Sequence, residues 1–99
     1  MDILTAHIPP QIFSSHTGVR VRMGVTLYYS VGAEQDAHSA EKLIRHGTVV
    51  VEEIVRTHRA DELLNNLDVV AQEVCEALNV RVKTDGMVVD KVAFSGVRM

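Results

Sequence analysis

The stretch V-R-V-R-M-G-V-T-L-Y-Y-S-V, residues Val19 to Val31, decides the fold. Its odd positions are apolar, and its even positions are polar, glycine or Tyr28. Strict alternation of this kind predicts a β-strand with one buried face and one face in water. At about 3.3 Å per residue the run would extend for ~40 Å, roughly twice a usual strand. We therefore expect it to outrun the sheet of one small domain and to need a partner chain.

The size and composition of the chain indicate a single domain over residues 1–99. The chain has 99 residues, of which 46% are hydrophobic, near the lower limit for a domain with one core. The single cysteine, Cys75, excludes an internal disulfide and agrees with a reducing compartment. The N-terminal M-D-I-L-T-A-H-I-P-P has no basic region and contains two prolines, so we expect no signal peptide or membrane span. These features predict a cytoplasmic protein or part of a soluble assembly.

The charges are segregated along the chain, although the net charge is only −3. Between Glu34 and Glu76 there are ten acidic and four basic residues, whereas the predicted strands on either side are basic. If helices cover one face of the sheet, the other face is a basic surface. Such a surface fits phosphate, nucleic acid, an acidic neighbouring subunit or solvent. Its candidate residues, for a basic face or an interface, are Arg20, Arg22, Tyr28, Arg81, Lys83, Lys91 and Arg98.

The first half of the chain predicts extended structure followed by a helix. Residues 1–18 predict a strand or an extended arm, with a loop at Ser14 to Gly18. Asp36 is a candidate N-cap for a helix that ends at His46-Gly47. Thr48 to His58 fits both strand and helix, and we favour a helix capped by Thr48.

The second half predicts a long helix and two further strands. Asp61 to Leu78 is the clearest amphipathic helix, with Asn79 as its end. V-R-V-K at 80–83 and the segment after Gly86 predict strands joined by a hairpin at Thr84-Asp85-Gly86, with a β-bulge near Ser95-Gly96. The predicted fold is α+β, a four-stranded, mostly antiparallel sheet with two helices on one face in the order ββααββ. The predicted core is Val21, Val25, Leu27, Leu43, Ile54, Leu67, Val70, Val74 and Leu78.

No motif for metal binding or nucleophilic catalysis is present in the sequence. The five histidines form no pair at helical spacing within one element, and Cys75 has no spaced partner. Ser14, Ser15 and His16 share one segment, but this composition is typical of a polar turn. There is no glycine-rich phosphate loop. We therefore expect no metal and no cofactor.

Four segments resemble the T-fold of dihydroneopterin aldolases and epimerases: V-T-L-Y-Y (25–29), H-G-T-V-V-V-E-E-I-V (46–55), L-D-V-V-A-Q-E-V (67–74) and V-V-D-K (88–91). The resemblance implies a pteridine-handling enzyme. In that enzyme Lys91 stands at the catalytic lysine and acts as general base. Asp68 stands near the glutamate that anchors the pterin, and His46 stands where the family has an active-site tyrosine.

Two further segments, D-A-H-S-A-E-K-L (36–43) and V-A-F-S-G-V-R-M (92–99), are similar in arrangement to ring-forming subunits of bacteriophage head–tail junctions, such as tail terminators. This resemblance implies a virion-associated ring of copies of the chain. We take a non-enzymatic structural subunit of a homo-oligomeric ring as the leading hypothesis. The T-fold enzyme is the alternative. A second alternative is a small nucleic-acid-binding module that uses Arg20, Arg22, Lys83 and Lys91.

Overall fold

The computed structural model describes residues 3–32 and 39–98. In this part of the chain a three-stranded antiparallel sheet, in the order β1-β2-β3, carries helices on one face. A 3-10 turn at Lys83–Asp85 precedes the last strand. The strands are β1 (Leu4–Ser14), β2 (Arg20–Val31) and β3 (Met87–Arg98), and the helices are α1 (Ser39–Thr57), α2 (Ala60–Asn65) and α3 (Leu67–Val82). The predicted N-cap Asp36 lies outside the described residues.

The alternating stretch is the central strand β2, which confirms the first prediction from the sequence. Its odd side chains from Val21 to Tyr29 are buried, and Arg20 and Arg22 are exposed. The strand does not outrun its sheet, however, and that expectation is wrong. β1 pairs with it from Ser14↔Arg20 to Leu4↔Tyr29, and β3 pairs with it from Arg22↔Arg98 to Val31↔Met87. The flanking strands, of 11 and 12 residues, pair with both edges of β2, so what remains uncovered is one face of the sheet.

The odd face of β2 carries the hydrophobic core. α1 packs against β1, α3 packs against β3, and the two helices contact each other. Seven of the nine predicted core residues are buried, Ile54 is half-buried against the core, and Leu67 is half-buried. Helices that cover one face of an antiparallel sheet leave the other face to solvent, which explains the alternation in the sequence.

Helix α1 continues through the position where a helix end was predicted. Gly47 does not end the helix. It lies instead where the helix comes close to the sheet. A Cβ atom at Gly47 would lie 3.1 Å from the Cδ1 atoms of both Ile8 and Leu27. Thr48 does not cap a second helix, since its hydroxyl donates to the carbonyl of Ile44 at 2.8 Å within the same helix. The predicted helix over Thr48 to His58 is confirmed as the second half of α1.

The predicted four-stranded sheet and its ββααββ order are wrong. V-R-V-K at 80–83 forms the end of α3 and the start of the 3-10 turn, so the helix does not end at Asn79. Leu78 and Val82, four residues apart, are fully buried, and this core contact overrides the β propensity of the valines. Gly86, with φ of 72°, ends the 3-10 turn and leads into β3, where a hairpin was predicted.

Irregularities in the pairing mark both edge strands. The bulge predicted near Ser95-Gly96 is confirmed, because the pairing steps from Gly24↔Ser95 to Arg22↔Arg98 and Gly96 has φ of 58°. A second bulge leaves Asp90 unpaired between Val89 and Lys91. In β1 the register shifts across Pro9-Pro10, which an edge strand accommodates because one of its sides needs no pairing.

Candidate interaction surface

No described helix packs on the second face of the sheet, and we call this face the open face. It is formed by the even-numbered side chains of β2 and by their neighbours in register on β1 and β3. None of the described open-face residues is acidic. The open face comprises Thr5, His7, Ile12, Ser14, Arg20, Arg22, Thr26, Tyr28, Ser30, Val88, Lys91, Ala93, Ser95 and Arg98.

Three arginines gather at one end of the open face, and we call this the arginine end. Arg22 lies directly opposite Arg98 on β3, and Arg20 lies two residues along the same face of β2. Ile12 of β1 lies opposite Arg22 on the other side and is 57% exposed. No ion pair joins these arginines to an acid among the described residues. Like charges opposed across strands repel, so the arginine end is an electropositive patch that the described chain leaves uncompensated.

The other end of the open face is less charged and partly apolar. Tyr28 is half-buried between Thr5 on β1 and Lys91 on β3. Val88, opposite Ser30, is 54% exposed. Between the two ends, the ring of His7 and the hydroxyl of Thr26 lie 3.2 Å apart across the strands. Five of the predicted basic-face residues therefore lie on the open face: Arg20, Arg22 and Arg98 at the arginine end, and Tyr28 and Lys91 at the other end.

Arg81 and Lys83 do not belong to the open face, and the prediction that placed them on a strand is wrong. Arg81 lies in the last turn of α3, and its Nε donates to Nδ1 of His46 at 3.4 Å. The other ring nitrogen of His46 lies 3.9 Å from the carboxylate of Asp85. Lys83 is exposed in the 3-10 turn. These groups form a separate polar cluster at one end of α3.

The three residues that the T-fold resemblance assigns to a site are only partly brought together. Asp68 and Lys91 both line an open groove of about 260 Å³ between α3 and β3, together with Gln72, Cys75 and Asp90. His46 does not line this groove, since it contacts Arg81 and Asp85. The groove holds two carboxylates and one ammonium group, all on exposed residues.

Asn79 holds the edge of β3 next to this groove. Its amide nitrogen donates to the carbonyl of Val89 at 3.0 Å, and its amide oxygen accepts from the Val89 N–H at 2.8 Å. The thiol of Cys75 also reaches that carbonyl, at 3.4 Å. Burial raises the pKa of Cys75, and the nearby carboxylates of Asp90 and Glu76 raise it further. Cys75 is therefore protonated near neutral pH and has a structural role.

The outer surface of α3 has a different character, and we call its outward residues the α3 stripe. They are Val69, Glu73, Glu76 and Val80, which recur at helical spacing opposite the buried Val70, Val74 and Leu78. Val69 and Val80 are 54% and 79% exposed. The carboxylate of Glu73 pairs with the His58 ring at 2.9 Å, whereas the carboxylate of Glu76 accepts a long hydrogen bond from Gln72 at 3.5 Å.

The exposed apolar residues of the open face and of the α3 stripe were not predicted from the sequence. Ile12 follows the bulge at Pro9-Pro10, which hides the alternation of β1 and therefore hides which face Ile12 occupies. The exposure of Val69 and Val80 could have been predicted from the sequence, because both lie outside the apolar stripe that defines the buried side of α3.

Within residues 3–32 and 39–98 there is no group of three His, Cys, Asp or Glu side chains that could hold a metal ion. In the same part of the chain no helix is both long enough and apolar enough to cross a bilayer. No protein-family model matches the sequence, and no curated protein matches it.

Proposed function

We propose that this chain is a non-enzymatic structural subunit of a homo-oligomer that assembles through the open face of its sheet. The observation that carries the proposal is the contrast between the two faces. One face is closed by α1 and α3. The other presents the more than half exposed Ile12 beside three arginines that no described acid neutralises, and the more than half exposed Val88 at its opposite end. Apolar side chains grouped with a charged patch on an uncovered sheet are typical of an interaction surface. A ring at a virion head–tail junction is the setting that the sequence resemblance implies.

The edges of the sheet support association through the face rather than through strand pairing. β1 is interrupted by Pro9-Pro10, and β3 has bulges at Asp90 and near Gly96. Prolines and bulges discourage the addition of a further strand to an edge. Asn79 also occupies the outward hydrogen-bonding groups of Val89. The open face is therefore the better surface for a second copy.

The mass in solution tests this proposal. A monomer has a mass of 10.9 kDa, and we expect light scattering after size-exclusion chromatography to give a multiple of it. Substituting Ile12 or Val88 by Gln removes exposed apolar area from the open face and should shift the protein toward monomer. Glu53→Gln on the exposed side of α1 is the matched surface control and should leave the mass unchanged. A wild-type protein that remains monomeric at high concentration contradicts the proposal.

A second candidate function, a pteridine-handling enzyme, is favoured by one observation: Asp68 and Lys91 line the same groove. In this reading Lys91 acts as general base and Asp68 anchors the ligand. Pterin binding followed by fluorescence and by melting temperature tests it. Binding that is lost in Lys91→Ala and Asp68→Asn supports the enzyme. A parent protein that responds to no pterin, and whose Lys91→Ala variant behaves identically, ends this reading.

A further inference from the structure

We propose that the open face of one copy is covered by the α3 stripe of the next copy, with Glu76 and its neighbours seated against the arginine end. This inference rests on the proposed function, because it names which surface of the second copy fills the open face. Two features of the described residues carry it: complementary charge and complementary apolar groups on two opposite sides of the same molecule.

The charges of the two surfaces are opposite. The arginine end has three guanidinium groups and no acid. Helices α2 and α3 together carry five acids, Asp61, Glu62, Asp68, Glu73 and Glu76, and one base, Arg81. Of these acids, Glu73 and Glu76 lie on the α3 stripe, whereas Asp61 pairs with Arg59 and Asp68 lines the groove with Lys91. Arg81 is engaged by His46 at the far end of α3. An acidic helix seated on the arginine end would relieve the repulsion between Arg22 and Arg98.

The apolar groups also correspond. The α3 stripe carries exposed Val69 and Val80 on either side of its acids, and the arginine end carries exposed Ile12 beside its bases. From Val69 to Val80 the stripe spans about 16 Å at 1.5 Å per residue, which equals roughly five residues of a strand. It can therefore lie along β2 from the arginine end to the middle of the open face.

The two surfaces differ from each other, and this decides the symmetry of the assembly. The helices separate the α3 stripe from the open face, so every copy presents one surface on each side. Because the two surfaces lie on opposite sides, two copies cannot exchange both contacts at once, so the contact is heterologous and propagates from copy to copy. A closed ring is one of the two assemblies that such a contact builds, and an open filament is the other.

An acidic protein surface fits the arginine end better than nucleic acid does. Among the described residues no aromatic side chain shares the open face with Arg20, Arg22 and Arg98 at this end, since Tyr28 lies at the other end and Phe13 is buried on the covered face. Stacking on aromatic rings is the usual way to hold single-stranded bases. The chain also has a net charge of −3, which disfavours approach of a polyanion.

A charge exchange tests the inference. Arg22→Glu and Glu76→Lys, made singly, should each weaken self-association by about tenfold or more, because each places like charges in the contact. The double variant Arg22→Glu/Glu76→Lys should restore association toward that of the parent. Arg22 and Glu76 lie on opposite sides of one molecule, so restoration can arise only from contact between copies. Glu73 is left unchanged because it pairs with His58 within the chain.

The matched controls make the same charge changes on α1, where Arg45 and Glu52 are exposed. Arg45→Glu and Glu52→Lys should leave association unchanged, and circular dichroism confirms that every variant is folded. If Arg22→Glu weakens association but Glu76→Lys does not, the inference is overturned and the proposed function stands. A wild-type monomer overturns both. Salt-dependent retention on DNA that Arg22→Glu abolishes, with self-association unaffected, overturns the inference in favour of a nucleic acid.

Discussion

The two faces of the sheet are made by the same strands, yet their side chains have different roles. On the covered face, Val21, Met23, Val25 and Leu27 are at most 1% exposed and pack against two helices. On the open face, alternate residues of the same strand carry arginines that no described acid neutralises. Burial of apolar surface is the main favourable term in folding, whereas charges in water contribute little to it. The covered face should therefore determine stability, and the open face should determine association.

The largest effect is expected from a matched pair of isoleucines on β1. Ile8 is 1% exposed and contacts the Gly47 region of α1, whereas Ile12 is 57% exposed on the open face. Ile8→Ala should lower the free energy of unfolding by about 2–5 kcal/mol, because it removes buried methyl groups and leaves a cavity. Ile12→Ala should change it by roughly 0.5 kcal/mol or less, as is usual for exposed positions.

Urea denaturation of both variants, at protein concentrations too low for association, measures this difference. The pair has the same residue type, the same strand and the same substitution, so intrinsic β propensity cancels and burial against the helices is the main remaining variable. Equal losses of stability in the two variants would show that the open face is as well covered in the monomer as the helix-facing side.

A second prediction concerns the edge of β3 where the helical layer meets the sheet. Asn79→Ala removes both hydrogen bonds to Val89 and should lower the free energy of unfolding by about 1–3 kcal/mol, less if water replaces the lost partner. Amide hydrogen exchange at Val89 should accelerate in this variant, because the Asn79 oxygen is its acceptor.

The exposed Asn65, at the end of α2, provides the control for this substitution. Asn65→Ala should leave both the stability and the exchange at Val89 close to those of the parent. Unchanged protection of Val89 in Asn79→Ala would mean that its N–H has another acceptor.

The prediction of the fold from sequence succeeded where a pattern is local and failed where a tertiary contact decides. The alternation over Val19 to Val31 needs only the pleat of a strand, and it predicted both faces of β2. Gly47 predicts a helix end in the sequence, yet α1 continues through it, and a Cβ there would lie only 3.1 Å from the side chains of Ile8 and Leu27. V-R-V-K reads as a strand, yet the burial of Val82 makes it helical.

The interaction surface was half predictable for the same reason. The alternation along β2 predicts that Arg20 and Arg22 lie on its exposed face. The switch of the apolar pattern at Ser95-Gly96 indicates the bulge that brings Arg98 to the same face. Arg81 and Lys83 were assigned to the surface only through the wrong strand at 80–83. The wrong secondary structure at 80–83 is therefore the reason that two basic residues were predicted on the wrong surface.

The smallest effect, and the one with the opposite sign, is expected at Arg22. Arg22→Thr should raise the free energy of unfolding of the monomer by about 0.5 kcal/mol at low salt, because it removes a like charge opposite Arg98 and adds a β-branched side chain. Arg20→Thr makes the same exchange opposite Ser14, so the difference between the two variants isolates the repulsion from Arg98. That difference should shrink as salt rises above ~0.1 M, where the screening length falls below about 10 Å. It should also vanish when both variants are made in an Arg98→Thr background. A difference that persists in that background would mean that the open face does not hold uncompensated charge at Arg22. In that case electrostatic attraction to the arginine end would not stabilise the contact with a second copy.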